Sequence, residues 1–533
     1  MRLHPVGMLV LGLLVLGRSP LHAVEPLSEQ DLAKKIDQRL AARWKVESVK
    51  PAPLADDAEY LRRVYLDLVG RIPSLAEARA FLDDRKPDKR VWLVRSLLEK
   101  GAHVQHFVSV WRDLLIPESN NGAVQGQLNG FNDWLRKQFS ENVPYDRMIA
   151  ELLTVPFGSE RLRRRGMTRS EPADAATPTP RAFYEAKDAK PEILAASTAR
   201  LFLGVRIECA QCHNHPFGSW TRQHFWGYAA FFAGLQRDGA DNGGVIREVF
   251  DRRDIKIPGS LTSVEARFLD ETEPRWKYNV GARTTLAEWL TAADNPYFAR
   301  ATVNRLWAHS FGVGLVEPVD DFRSDNPPSH PELLEELARQ FVAHRFDLQY
   351  LMRSIVASRA YQLTSAATAA SSMDSRLFAR MTVKGLTPEQ LFDSLAVATG
   401  YRPPPTPPPM PMTPAPPDAR AEFLARFAGG QPGTETQRSI PQALMLMNGR
   451  FIAAATRLKD GDFLTSVAND HSLDTAGKIE TLFLATLSRK PTPTEARRLV
   501  QYVDGGGARK DARLALGDVL WALLNSAEFN LNH

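Results

Sequence analysis

Five times along this chain a serine or threonine stands three residues ahead of a glutamate or glutamine near the head of an apolar run. The pairs are Ser74/Glu77, Thr285/Glu288, Ser329/Glu332, Thr387/Gln390 and Thr492/Glu495. Each has the form of a capping box, in which the hydroxyl accepts an N–H of the first helical turn and the longer side chain reaches back. Pro388 and Pro493 follow two of these caps, at the first helical position, where a missing N–H costs nothing. Between the caps the apolar residues keep helical spacing. In "DDAEYLRRVYLDLVGRIPS", Leu61, Val64, Tyr65 and Leu68 fall on one face, and Pro73 is expected to stop that helix. Alternating runs of β-branched residues are scarce. The chain is therefore predicted to be mainly α.

Three stretches break the pattern. Arg161 to Pro180 is basic and then proline-rich, with the run Arg161, Arg163, Arg164, Arg165 and Arg169, and reads as a solvated loop. No aromatic residues are interleaved with those arginines to stack bases, so no nucleic-acid partner is expected. Gly239 to Gly281 is rich in glycine and charge, with short strands expected around Val245 to Phe250. Arg402 to Pro417, "RPPPTPPPMPMTPAPP", is a stiff polyproline tract that cannot pack a core and reads as a surface insert. These breaks suggest two helical domains, 24–240 and 283–533, joined by a short irregular or β-containing connector at 241–282, with the Pro-rich insert at 402–417.

The first residues differ in kind. Arg2 precedes an uncharged apolar run, Val6 to Gly17, and "RSPLHA" ends in the small Ala23. A basic start, a short apolar core and a small residue make a secretory signal, with cleavage expected near Ala23. Twelve apolar residues fall short of the roughly 20 that a membrane span needs. Removing residues 1–23 takes away two arginines and no acid, leaving a net charge of +3, which points to no polyanionic partner. The expected location is periplasm or cell envelope.

Export changes how the sulfur reads. The chain holds 2 cysteines in 533 residues, and both lie in "ECAQCHNHPFGSW". Outside the cytoplasm spare thiols pair, bind metal or are modified. Cys209 and Cys212 with His213 match the attachment signature of c-type haem. On one helical turn, positions i and i+3 lie side by side, so both thiols can form thioethers with one porphyrin edge while the histidine supplies an axial nitrogen. The following "HFWGYAAFFAG" offers Phe225, Trp226, Tyr228, Phe231 and Phe232, which could cover a macrocycle or simply fill a core. His215 is too close to His213 to reach the opposite face. No methionine occurs between Met167 and Met352, so His224, His309 or His330, or a methionine from the second domain, would have to supply a second ligand, or the iron stays five-coordinate. Two alternatives remain open: a zinc or copper site built from Cys209, Cys212, His213 and His215, and a disulfide.

A second concentration of ionisable groups lies in "WAHSFGVGLVEPVDDFRSDNPPSH". His309, Glu317, Asp320, Asp321, Asp325 and His330 could bind a divalent cation or act as acid and base. Equally, the aspartates could shape turns, with Ser329 capping the helix that begins at Pro331.

Long phrases of this chain, among them "RLFLGVRIECAQCHNHPFGSWTRQHFWGYAAFFAG", "NPYFARATVNRLWAHSFGVGLVEPVDDFRSDNPPSHPELL" and "NSAEFNLNH", resemble the large exported proteins of planctomycetes and their relatives. Those pair a cytochrome-like domain of unknown function with a second domain of unknown function. The resemblance runs from about Asp31 to His533 and implies the same two-domain order. It also implies a periplasmic setting near sulfatase-like proteins and polysaccharide breakdown. The expectation is thus an exported protein with covalent haem c, exchanging electrons with a periplasmic redox partner or running small redox chemistry. The competing expectation is a non-redox, carbohydrate-associated or assembly protein whose cysteines close a disulfide or hold zinc.

Overall fold

Helices make up most of the computed structural model of the chain, which describes residues 25–117, 122–159, 178–214, 220–237, 244–367, 374–402, 419–427, 450–458 and 462–533. The expected leader, the arginine run, His215 and all of the proline tract except Arg402 lie outside these residues. Three of the five expected capping boxes form, at Ser74/Glu77, Thr387/Gln390 and Thr492/Glu495. The other two do not. The helix Ala282–Leu290 starts earlier, at Gly281, so Thr285 sits one turn inside and donates its hydroxyl to the Gly281 carbonyl. Ser329 donates instead to the Leu315 carbonyl, and His330 takes the cap position of Pro331–Ala343. A capping box that spacing alone did not suggest joins Thr221 to His224, whose ring nitrogen replaces the usual carboxylate.

The helix Asp57–Val69 corrects a second expectation. It ends at Gly70, which adopts a left-handed φ of 73°, three residues before Pro73. Its apolar stripe is real, yet the opposite side is buried too: Arg62, Arg63 and Asp67 are at most 3 % exposed. Such charges can be enclosed only if every polar atom finds a partner. Arg62 donates to the carbonyls of Thr486 and Phe529, and Arg63 to those of Tyr361 and Leu363 while pairing with Glu59. This helix is therefore central, covered on both sides by segments from hundreds of residues away.

It lies at the seam of two apolar clusters. The larger draws on residues from Leu32 to Met381; the smaller on Leu386 to Phe529, together with Leu66 and Ile72 from the end of this same helix and the turn after it. Helices before and after the 241–282 segment share the larger cluster. Tyr145 stacks on Phe298 with ring centroids 5.5 Å apart, and Arg283 donates to the carbonyls of Leu153 and Val155. The segment itself holds the strand Ile246–Glu248, within the expected range, paired with Leu235–Arg237, and a hairpin of Asp254–Lys256 with Ser263–Glu265. A separate two-stranded pairing joins Lys384–Gly385 to Leu531–Asn532 and ties the chain's end to the seam. Among the described residues no helix is long and apolar enough to cross a membrane.

Candidate functional site

The cysteine turn is built from a chain reversal. Helix Pro191–Thr198 runs into the wider turn Ala199–Leu203 and ends at Gly204, with φ of 68°. A Cβ there would come within 2.7 Å of the Phe322 ring, so the close approach of the 317–325 loop requires glycine. Phe322 N–H donates to the Gly204 carbonyl at 2.9 Å, and Arg206 Nε donates to Asp320 at 2.9 Å. Buried Val205, Ile207 and Ala210 then anchor the short 3₁₀ turn Glu208–Gln211. Cys209 lies within that turn and Cys212 caps its C-terminal end. Both thiols are free and exposed.

His213 is exposed beside them, and its Nδ1 lies 2.8 Å from the Asn214 carbonyl. A carbonyl can only accept, so Nδ1 carries the proton and Nε2 keeps its lone pair. That is the orientation in which an imidazole serves as a metal ligand. The turn is held to the next helix by Trp226, whose Nε1 donates to the Gln211 carbonyl at 3.0 Å. The aromatic residues of that helix are core. Phe225, Trp226, Tyr228, Phe231 and Phe232 are at most 3 % exposed, and Phe231 stacks on Phe268. They support the turn from behind and present no open face to cover a porphyrin.

The expected far-side ligands are engaged elsewhere. His224 Nδ1 accepts from Thr221 N–H, and its Nε2 stands 3.4 Å from Glu271. His330 is buried against Ser329 and Phe378, and burial, reinforced by Arg43 and Arg376, holds its pKa down at about 4. His309 belongs to a different cavity. The carboxylates of the 317–325 loop are committed as well: Glu317 accepts from Gly314 N–H, Asp320 pairs with Arg206, and Asp321 and Asp325 with Arg323. The loop thus packs beside the thiol turn, in the role of a shaped support. Among the described residues no three His, Cys, Asp or Glu side chains converge on a metal position.

A second constellation has no local signature. Asp67 Oδ1 accepts from Lys384 Nζ at 2.6 Å and from Asn532 Nδ2 at 2.7 Å, while Oδ2 accepts from the Tyr361 hydroxyl at 2.7 Å. The strand register places Lys384 opposite Asn532, so both side chains reach the same carboxylate. Lys384 also donates to the carbonyls of His309 and Ser310, each at 2.9 Å, at the C-terminal end of the helix Phe298–Phe311. A cation is favoured at that end of a helix. Beside this pair lies a cavity of about 310 Å³, walled by His106, His309, Lys384, Glu389 and Asn532 and bordered by Asp113. A smaller one of about 120 Å³ shares His106, Ser109 and Glu389 with it.

Three imidazoles crowd this seam. His309 Nε2 lies 2.8 Å from the Asp67 carbonyl, and His103 Nδ1 lies 2.8 Å from that of Leu68. The rings of His106 and His309 are 5.9 Å apart. Burial pushes all three pKa values down, helped by neighbouring imidazoles at His103 and His106 and by Lys384 at His309, that of His103 to about 4. They are neutral near pH 7.

Comparison with family models gives two matches in chain order. Residues 35–237 match PSCyt2, a protein of unknown function (DUF1549), and residues 282–427 match PSD1, a protein of unknown function (DUF1553). No curated protein and no solved structure matches the chain.

Proposed function

Since the chain belongs to the planctomycete-type family that joins these two domains of unknown function, we propose that it is an exported protein with c-type haem bound through Cys209 and Cys212. One observation carries this reading: two free, exposed thiols lie on and at the end of one short turn, beside an imidazole whose Nε2 lone pair is left available. The residues present fit the attachment edge and the proximal ligand, His213. The haem would supply one-electron redox chemistry for a periplasmic partner or a small oxidant. The protein's own contribution is positional: Ala210 roots the turn in the core, and Trp226 and Asp320 hold its two flanks. A place near polysaccharide metabolism, beside sulfatase-like proteins, rests on the family resemblance.

Expression of the full chain with a c-type maturation system tests this. The expected product shows a Soret band that survives acid–acetone extraction and disappears in Cys209→Ser/Cys212→Ser. The same double variant should unfold within about 0.5 kcal/mol of the parent, because both side chains are exposed. A colourless protein with stoichiometric zinc, or with no titratable thiol, would sink the haem reading. That outcome would support the second one, a non-redox protein whose cysteines close a disulfide or bind zinc with His213 and His215. The packed aromatic helix favours this alternative, since it leaves no apolar face toward the thiols.

A further inference from the structure

We propose that the cleft at the seam of the two apolar clusters binds a compact organic cation, a primary ammonium or guanidinium compound, through hydrogen bonds donated to His309 Nδ1 and to the carboxylates of Asp113 and Glu389. The argument rests on which polar atoms in the wall are already used. Lys384 has three ammonium protons, and all three are taken, by Asp67 and by the carbonyls of His309 and Ser310. Asn532 Nδ2 is taken by Asp67, and Gln390 Nε2 by the Leu66 carbonyl. The charged donor of the wall is therefore fully occupied, while each amide keeps a second N–H and His106 Nε2 is buried without a partner.

The acceptors are not occupied. His309 donates its single ring proton from Nε2 to the Asp67 carbonyl, so Nδ1 carries the lone pair. Nδ1 has no hydrogen-bond partner among the described residues, and the ring is half-buried on the cavity wall. The nearest ion-pair partner of Glu389 is Arg112, at 3.9 Å, with Arg420 on the wall of the adjoining smaller cavity, and Arg112 binds just one oxygen of Asp113. Ser109 donates to the Gln105 carbonyl and keeps its own lone pairs. With Asp67 neutralised by Lys384 and Arg420 paired with Asp393, the two remaining carboxylates face Arg112 and leave the cleft negative.

A volume of about 310 Å³ is at the small end for ligand pockets, and junctions between packed units are where such pockets concentrate. A wall of free acceptors with a negative balance selects N–H donors and positive charge, and rejects anions. The site is independent of the thiol turn, since neither cysteine lines the cleft.

The test is titration of the full chain at low ionic strength with n-butylammonium and methylguanidinium, against n-butanol and butyrate, by saturation-transfer NMR and calorimetry. Both cations should bind saturably, and neither the alcohol nor the carboxylate should. In Asp113→Asn/Glu389→Gln the affinity should fall about tenfold or more, as charge-assisted bonds become neutral ones. In the unaltered chain the ¹⁵N resonance of His309 Nδ1 should move on adding butylammonium, a readout that does not depend on the variant folding. Equal binding of butanol, full affinity in the double variant, a still His309 resonance, or no saturable binding of either cation would overturn the proposal.

Discussion

Replacing Asp67 with asparagine keeps the side chain's size and removes the charge opposite Lys384. At 2.6 Å and an effective dielectric near 20, their direct attraction is about 6 kcal/mol. Burial of the two ions costs several kcal/mol each, so the pair as a whole is close to neutral against an apolar substitute. Removing one partner is different, because the other stays enclosed without its counter-charge, at a cost of about 3–5 kcal/mol. Asp67→Asn and Lys384→Met should each lose that much stability. The double variant should lose no more than the worse single one, giving a coupling energy of at least about 3 kcal/mol. Urea unfolding followed by tryptophan fluorescence measures it, with Trp111 and Trp307 buried in the larger cluster as reporters. If the two losses add to within about 0.5 kcal/mol, the ion pair does not hold the seam and the reasoning fails.

Acid should weaken the fold through its neutral histidines. His103 and His330 have folded pKa values held down at about 4, so below pH 6.5 the unfolded chain takes up protons that the folded chain refuses. Stability should therefore fall as pH drops from about 6.5 toward 4, by about 2 kcal/mol per histidine at pH 5, with His106 and His309 steepening the loss; equal urea midpoints at pH 7 and pH 5 would contradict this. Gly70→Ala should cost about 2–5 kcal/mol, because φ of 73° is strained for alanine and the new Cβ would lie 2.3 Å from His106 Nδ1. Adding His106→Ala to Gly70→Ala should restore part of that loss in the same denaturation assay.

What could be read from the chain was local. Capping boxes formed where the spacing coincided with a true helix start, as at Thr492/Glu495, and failed at Thr285 because Gly281, four residues ahead of it, caps the helix first. Pro73 is the obvious stop for the helix Asp57–Val69, yet Gly70 takes the left-handed conformation that ends it earlier. The thiol turn was legible for the same reason, since its residues are neighbours in sequence. The seam was not. Asp67 and Asn532 are 465 residues apart, and Asp67 reads as one charge on the polar side of an amphipathic helix. Only the neighbouring Arg62 and Arg63, placed within a run otherwise rich in buried apolar residues, hinted that both sides of that helix would be covered.

This difference bears on where the fold's constraints lie. Nothing in the core needs Cys209 or Cys212, whose side chains face outward from a turn rooted by Ala210. Asp67 is the opposite case: its carboxylate joins a residue of the larger cluster, Tyr361, to the strand pair that closes the smaller one. The phrases "DLVGRIP" and "NSAEFNLNH" stand near opposite ends of the chain and meet at this one carboxylate. This chain should thus keep its fold without the thiol pair, whereas loss of the Asp67 charge should be offset by a compensating change at Lys384. Stability of the thiol-free variant and of the Asp67/Lys384 pair therefore separate what the protein carries from what holds it together.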